Sequence, residues 1–128
     1  MALVVDASAM VDLLVGSELA PSIADRLRGE ELHVPAHFDA EVLSALGHLH
    51  RAGDLSAQQV AARLGRLADA PVRRHEAPAL LRGAWRRRHN LRLVDAIYVE
   101  LATQLGASVV TTDSGMAAAA PRAELIRP

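Results

Sequence analysis

Two short apolar stretches of this chain each end in an aspartate: LVV runs into Asp6, and SVVTT runs into Asp113. Stretches of that length and composition read as strands buried on both faces of a sheet. Two more acids stand where helices should begin. Asp95 opens the segment DAIYVELATQL, and both Asp39 and Glu41 fall in the first turns of the segment after Pro35. A helical wheel does not choose between those two. If strand ends and helix starts meet at one rim, several carboxylates share a small volume. Each pair 4 Å apart would repel by roughly 4 kcal/mol at an effective dielectric near 20. Such a cluster is tolerated when protonated, paired with arginine, or gathered around a divalent cation. Oxygen ligands without cysteine favour Mg²⁺, with Mn²⁺ as a substitute, over zinc.

The elements that must position these acids follow from the alternation of apolar strands and amphipathic helices. Strands are expected at residues 2–5, 31–34, 71–74, 107–112 and 124–126, the third of them weak. Between them, helices are expected at 9–16, 18–28, 36–52, 54–69, 78–89 and 94–105, several stopped by glycine. That order predicts a single three-layer α/β/α domain over residues 1–128, with a short parallel sheet of about four to five strands. In such sheets the working crevice lies outside the carboxyl ends of the strands, where Asp6 and Asp113 are placed.

Composition removes several other chemistries. The chain has 128 residues, no cysteine, and 14 basic residues that are all arginine. Absence of cysteine excludes a disulfide framework and thiolate chemistry, and absence of lysine excludes Schiff-base and P-loop mechanisms. It also speaks against a phosphoacceptor receiver, which needs a lysine at a later strand end. A haloacid-dehalogenase-type phosphatase would want an acid two residues after Asp6, and that position is Ser8. The aromatics number three, Phe38, Trp85 and Tyr98, too few to hold bases on rows of rings. A net charge of −1 leaves nucleic-acid binding to a local patch. Half of the arginines lie between Arg73 and Arg92, just before Asp95, and Arg82, Arg86, Arg87, Arg88 and Arg92 are the candidates for gripping a phosphate backbone. Trp85 is expected to pack in the core or at a dimer contact. Asp12, Glu100 and the histidines read mostly as surface residues. The start of the chain, MALVVDASAM, has no basic stretch, so the expectation is a cytoplasmic protein.

Four blocks, LVVDASAMVDLL, PAHFDAEVLSALGHLHRAG, LRLVDAIYVELATQLGA and SVVTTDSGMAAAAP, resemble in order and spacing the motif blocks of PIN-domain ribonucleases, and more narrowly VapC-type toxins. The resemblance implies that Asp6, Glu41, Asp95 and Asp113 form a Mg²⁺-binding catalytic set, which selects Glu41 over Asp39. It also matches Ser8 and Thr111 as hydroxyls that orient the carboxylates, although Ser8 reads equally as the N-cap of the first helix. The segment after Asp113 lacks the arginine or further acid that many relatives carry there. The resemblance further implies hydrolysis of structured RNA, transfer or ribosomal, a homodimer, and inhibition by a small VapB-like antitoxin. A DNA or flap nuclease and a catalytically silent RNA-binding module are the alternatives.

Overall fold

The computed structural model describes residues 1–128, and its organising element is a five-stranded sheet in the order β3-β2-β1-β4-β5, parallel throughout. The strands are β1 (Ala2–Val5), β2 (Glu31–Pro35), β3 (Val72–His75), β4 (Ser108–Thr111) and β5 (Ala123–Leu125). Val4, Val5, Val34, Val109 and Val110 are fully buried, as unbroken apolar runs in a sheet covered on both faces must be. Pro35 closes β2 rather than following it, and pairs in register with His75.

The helices are α1 (Ala7–Val15), α2 (Ala20–Leu27), α3 (Phe38–Arg51), α4 (Ala57–Ala68), α5 (Leu81–Arg86), α6 (Leu93–Leu105) and α7 (Ser114–Ala119). α1 packs against α2, α3 and α4, while α6 lies over β1, β2 and β4 with α5 against it. α1 ends at Gly16 and α6 at Gly106, both in the left-handed conformation that only glycine adopts freely. α4 starts with a reciprocal Ser56–Gln59 capping box. No single helix is long and apolar enough to cross a membrane.

Three expectations are corrected here. The helix expected at 78–89 is a 3₁₀ turn at Pro78–Leu80 followed by α5, which stops at Arg86. Beyond Trp85 the arginine run offers no apolar residue to bury another turn. α7 was not anticipated, because Ser-Gly-Met followed by alanines shows no periodic stripe, yet Met116 is buried and Asp113 caps the helix. Trp85 is 57% exposed, so of its two expected places the core is ruled out and a dimer contact is left; Arg88 lies over its ring at 4.7 Å.

The chain builds β1, β2 and β3 in one direction, then crosses back to lay β4 on the other side of β1. The carboxyl ends of β1 and β4 therefore flank the point where strand order reverses, the crevice position in doubly wound sheets.

Candidate active site

Asp6 leaves β1 at that crevice and is 5% exposed. As the residue before α1 it offers its carbonyl to the amides of Ala9 and Met10, while its carboxylate makes no cap bond. The carboxylate instead accepts on Oδ2 from Ser8 Oγ at 2.7 Å and from Thr111 Oγ1 at 2.8 Å. Oδ1 is left without a protein donor. Burial raises the Asp6 pKa; the two hydroxyls oppose the rise, and the charges of Asp95 and Glu41 add to it. Those repulsions place both acids within electrostatic reach. Ser8 lies one residue inside α1, so it is not the N-cap; its hydroxyl also accepts from the Thr112 amide at 3.1 Å.

Glu41 reaches the site from the first turn of α3, where Tyr98 Oη donates to Oε1 at 2.6 Å and His37 Nε2 stands 3.4 Å away. Tyr98 is fully buried, and burial together with this bond pushes its pKa well above the ordinary phenol range, so it stays a donor. Asp39 points elsewhere, in a bidentate pair with Arg74 at 2.6 and 2.9 Å. Of the two acids the helical wheel left open, Glu41 lies toward Asp6 and Asp39 is tied to Arg74. Asp95, in the first turn of α6, is forked by Arg92, Nε to Oδ2 at 3.0 Å and Nη2 to Oδ1 at 3.3 Å. Asp113 accepts the Gly115 amide at 2.8 Å. Asp95, Asp113 and Arg92 line a pocket of about 250 Å³ with Asn90, Leu91 and Gly115.

No three His, Asp or Glu side chains stand close enough to enclose an ion as they are arranged here. The donor set nonetheless suits a hard divalent cation: carboxylate oxygens, among them those of the buried Asp6, whose Oδ1 has no donor and whose charge is repelled by Asp95 and Glu41.

A family model described as PIN domain matches residues 3–121. Ribonuclease VapC3 of Mycobacterium tuberculosis is 53% identical over 124 residues, covering 96% of this chain and 90% of that protein. The chain is a PIN-domain protein of the VapC ribonuclease family. Among solved structures, PAE2754 from Pyrobaculum aerophilum superposes on this VapC-family chain with a TM-score of 0.71 at 25% identity, over 96% of this chain and 82% of that one. Mycobacterium tuberculosis VapC20, described as a toxin cleaving the sarcin–ricin loop, gives a TM-score of 0.71 at 18% identity over 98% and 99% of the two chains.

Several residues of this VapC-family chain depart from their sequence reading. Glu100, expected on the surface, is 7% exposed, and accepts from Arg87 Nη1 and from Gln104 at 2.8 Å. Arg87, expected to grip RNA, is committed inward: the same guanidinium binds the Gly83 carbonyl at 3.0 Å and Thr103 at 3.2 Å. Arg92 is exposed like Arg82, Arg86 and Arg88, but its guanidinium is paired with Asp95. Asp12 accepts from Thr112 Oγ1 at 2.7 Å, tying α1 to the exit of β4. His33 is buried between Glu31 at 2.6 Å and His75 at 2.8 Å rather than at the surface, and the half-buried His37 borders Glu41. Tyr98 is the site residue that sequence reasoning missed. Its position three after Asp95, on one helical face, was the available signal.

Proposed function

We propose that this chain is the toxin of a VapBC pair, a Mg²⁺-dependent endoribonuclease, with Mn²⁺ as substitute, that hydrolyses structured RNA, transfer or ribosomal, in the cytoplasm. Asp6, Glu41, Asp95 and Asp113 hold the cation, and residues 1–128 act as one domain. The observation that carries this reading is Asp6: a buried carboxylate with one oxygen fixed by two hydroxyls, the other undonated, and two acids pressing its charge. A protein keeps so costly an arrangement at the crevice of its sheet when a cation offsets it.

A divalent cation at such a site activates a water and offsets charge on the phosphate and leaving oxygen. The chain's own residues supply the rest. Ser8 and Thr111 fix the Asp6 carboxylate through Oδ2, leaving Oδ1 without a donor. Tyr98 orients Glu41 by donating to Oε1. Arg82 and Arg86, exposed on α5, carry the positive charge that draws in the RNA backbone. Water adds at phosphorus, the P–O ester bond breaks, and the departing oxygen takes a proton from solvent. The partners are a VapB-like antitoxin, whose basic side chain suits this acidic crevice, and a second copy of the chain.

The test is cleavage of transfer and ribosomal RNA by the purified chain with Mg²⁺ or Mn²⁺. EDTA or Asp6→Asn is expected to abolish it. Cleavage surviving in Asp6→Asn would remove the cation set from the mechanism, and RNA binding without cleavage would mark a silent module. Growth arrest on expression, relieved by the neighbouring upstream reading frame, tests the toxin assignment.

A further inference from the structure

Arg92 occupies an unusual place for a substrate-gripping arginine. Its guanidinium covers both oxygens of Asp95, and its charge is also drawn toward Asp113 and Glu41. Its charge thus acts on three of the four acids, while its hydrogen bonds go to Asp95 alone. The pair is lopsided, since Arg92 is 74% exposed and Asp95 is 13% exposed. An exposed partner is weakly held, because water and salt screen it and its side-chain freedom is lost on pairing. The other arginines nearby behave differently. Arg87 is tied down by Glu100, Gly83 and Thr103, and Arg88 rests on Trp85. Arg92 is the one with a short, breakable attachment at the mouth of the pocket shared by Asp95 and Asp113.

We infer that Arg92 is a built-in stand-in for the cation, paired with Asp95 in the cation-free chain and released to grip an RNA phosphate once a divalent ion takes Asp95. The inference rests on the cation site proposed above. A divalent ion that takes the Asp95 lone pairs facing Arg92 displaces one or both of these bonds, and its charge repels the guanidinium it displaces. The freed guanidinium then hangs at the rim of the acidic crevice, where a phosphate bound for hydrolysis lies, and its fork matches two phosphate oxygens. One side chain thus links the two binding events: cation entry creates the arginine that RNA needs. It also shields the acids from one another when no ion is present.

Mn²⁺ binding to the full chain, without RNA, is measured by calorimetry. Arg92→Gln is expected to bind Mn²⁺ about tenfold more tightly than the unmodified chain, with the gap narrowing at high salt and Arg92→Lys falling between. Binding of a 2′-O-methyl oligoribonucleotide, which resists cleavage, is then measured with and without Mn²⁺. Arg92→Gln is expected to match the unmodified chain without Mn²⁺ and to bind roughly threefold or more weakly with it, as befits loss of one phosphate contact. Equal Mn²⁺ affinities in Arg92→Gln and the unmodified chain would overturn the stand-in role. An RNA deficit of the same size with and without Mn²⁺ would reduce Arg92 to an ordinary backbone contact. Mn²⁺ binding undiminished in Asp6→Asn would overturn the cation site itself, a failure separable from that of Arg92.

Discussion

Charging Asp6 in the cation-free chain works against the fold, because burial and the neighbouring Asp95 and Glu41 outweigh the bonds from Ser8 and Thr111. A carboxyl whose folded pKa lies above its unfolded value stabilises the fold at low pH and loses that contribution as pH rises through the folded pKa. Asp6→Asn is therefore expected to raise the melting temperature of the chain in EDTA at neutral pH, with the gain shrinking toward acid pH. Thermal denaturation across pH checks this, and a lower melting temperature at neutral pH would contradict it. The same variant is expected to lose cleavage, so stability and activity should move in opposite directions. Tyr98→Phe probes Glu41 with little change in volume. Losing this donor is expected to cost about 1 kcal/mol of stability. Because Glu41 loses its orientation, cleavage at saturating RNA should fall while RNA affinity stays near that of the unmodified chain.

The contact between α5 and α6 is built on a close approach. A Cβ at Gly83 would stand 2.0 Å from Glu100 Cδ, so the carboxylate lies directly on the α5 backbone. Burial acts against the ionised Glu100, but donation from Gln104 and Arg87 together outweighs it, and the carboxyl titrates below its usual range. Its contribution is thus present above the ordinary carboxylate pKa and is lost as pH falls toward the lowered one. Glu100→Gln is expected to destabilise by about 3 kcal/mol near neutral pH and to flatten the acid limb of the stability profile. Gly83→Ala is expected to cost roughly 1–3 kcal/mol by overpacking. Both are read by urea denaturation. At this scale the sequence was partly legible. β1 and β4 announce themselves because a strand covered on both faces must be apolar without interruption, and their terminal acids mark the crevice. α6 is apolar over much of its surface, although Leu93, Val94 and Leu105 stay exposed, so the apolar neighbours Val99 and Leu101 point to a buried Glu100 without requiring it. The stop of α5 and the existence of α7 were not legible, since both depend on what neighbouring elements cover rather than on any local period.

Across the whole molecule, a net charge of −1 hides a separation of charge: acids at the crevice, and exposed Arg82, Arg86 and Arg88 along α5 and the segment after it. RNA affinity should therefore fall with salt despite the neutral total. Arg82→Glu with Arg86→Glu is expected to weaken binding across sequences and to shrink the logarithmic salt slope by about one per lost phosphate contact. An unchanged slope, measured by fluorescence anisotropy, would assign those residues to protein contacts. Strand order adds a consequence of its own. β1 is the first strand in the chain and the middle one in the sheet, and β4 must arrive before its second edge is paired. The hydroxyl that Thr111 gives to Asp6 comes from 105 residues further on. A polypeptide still emerging from the ribosome, complete through α6, would already display three of the four acids yet lack the strand that anchors the first. If those acids act as proposed, the chain stays inert during its own synthesis, since its crevice closes only once β4 has been translated.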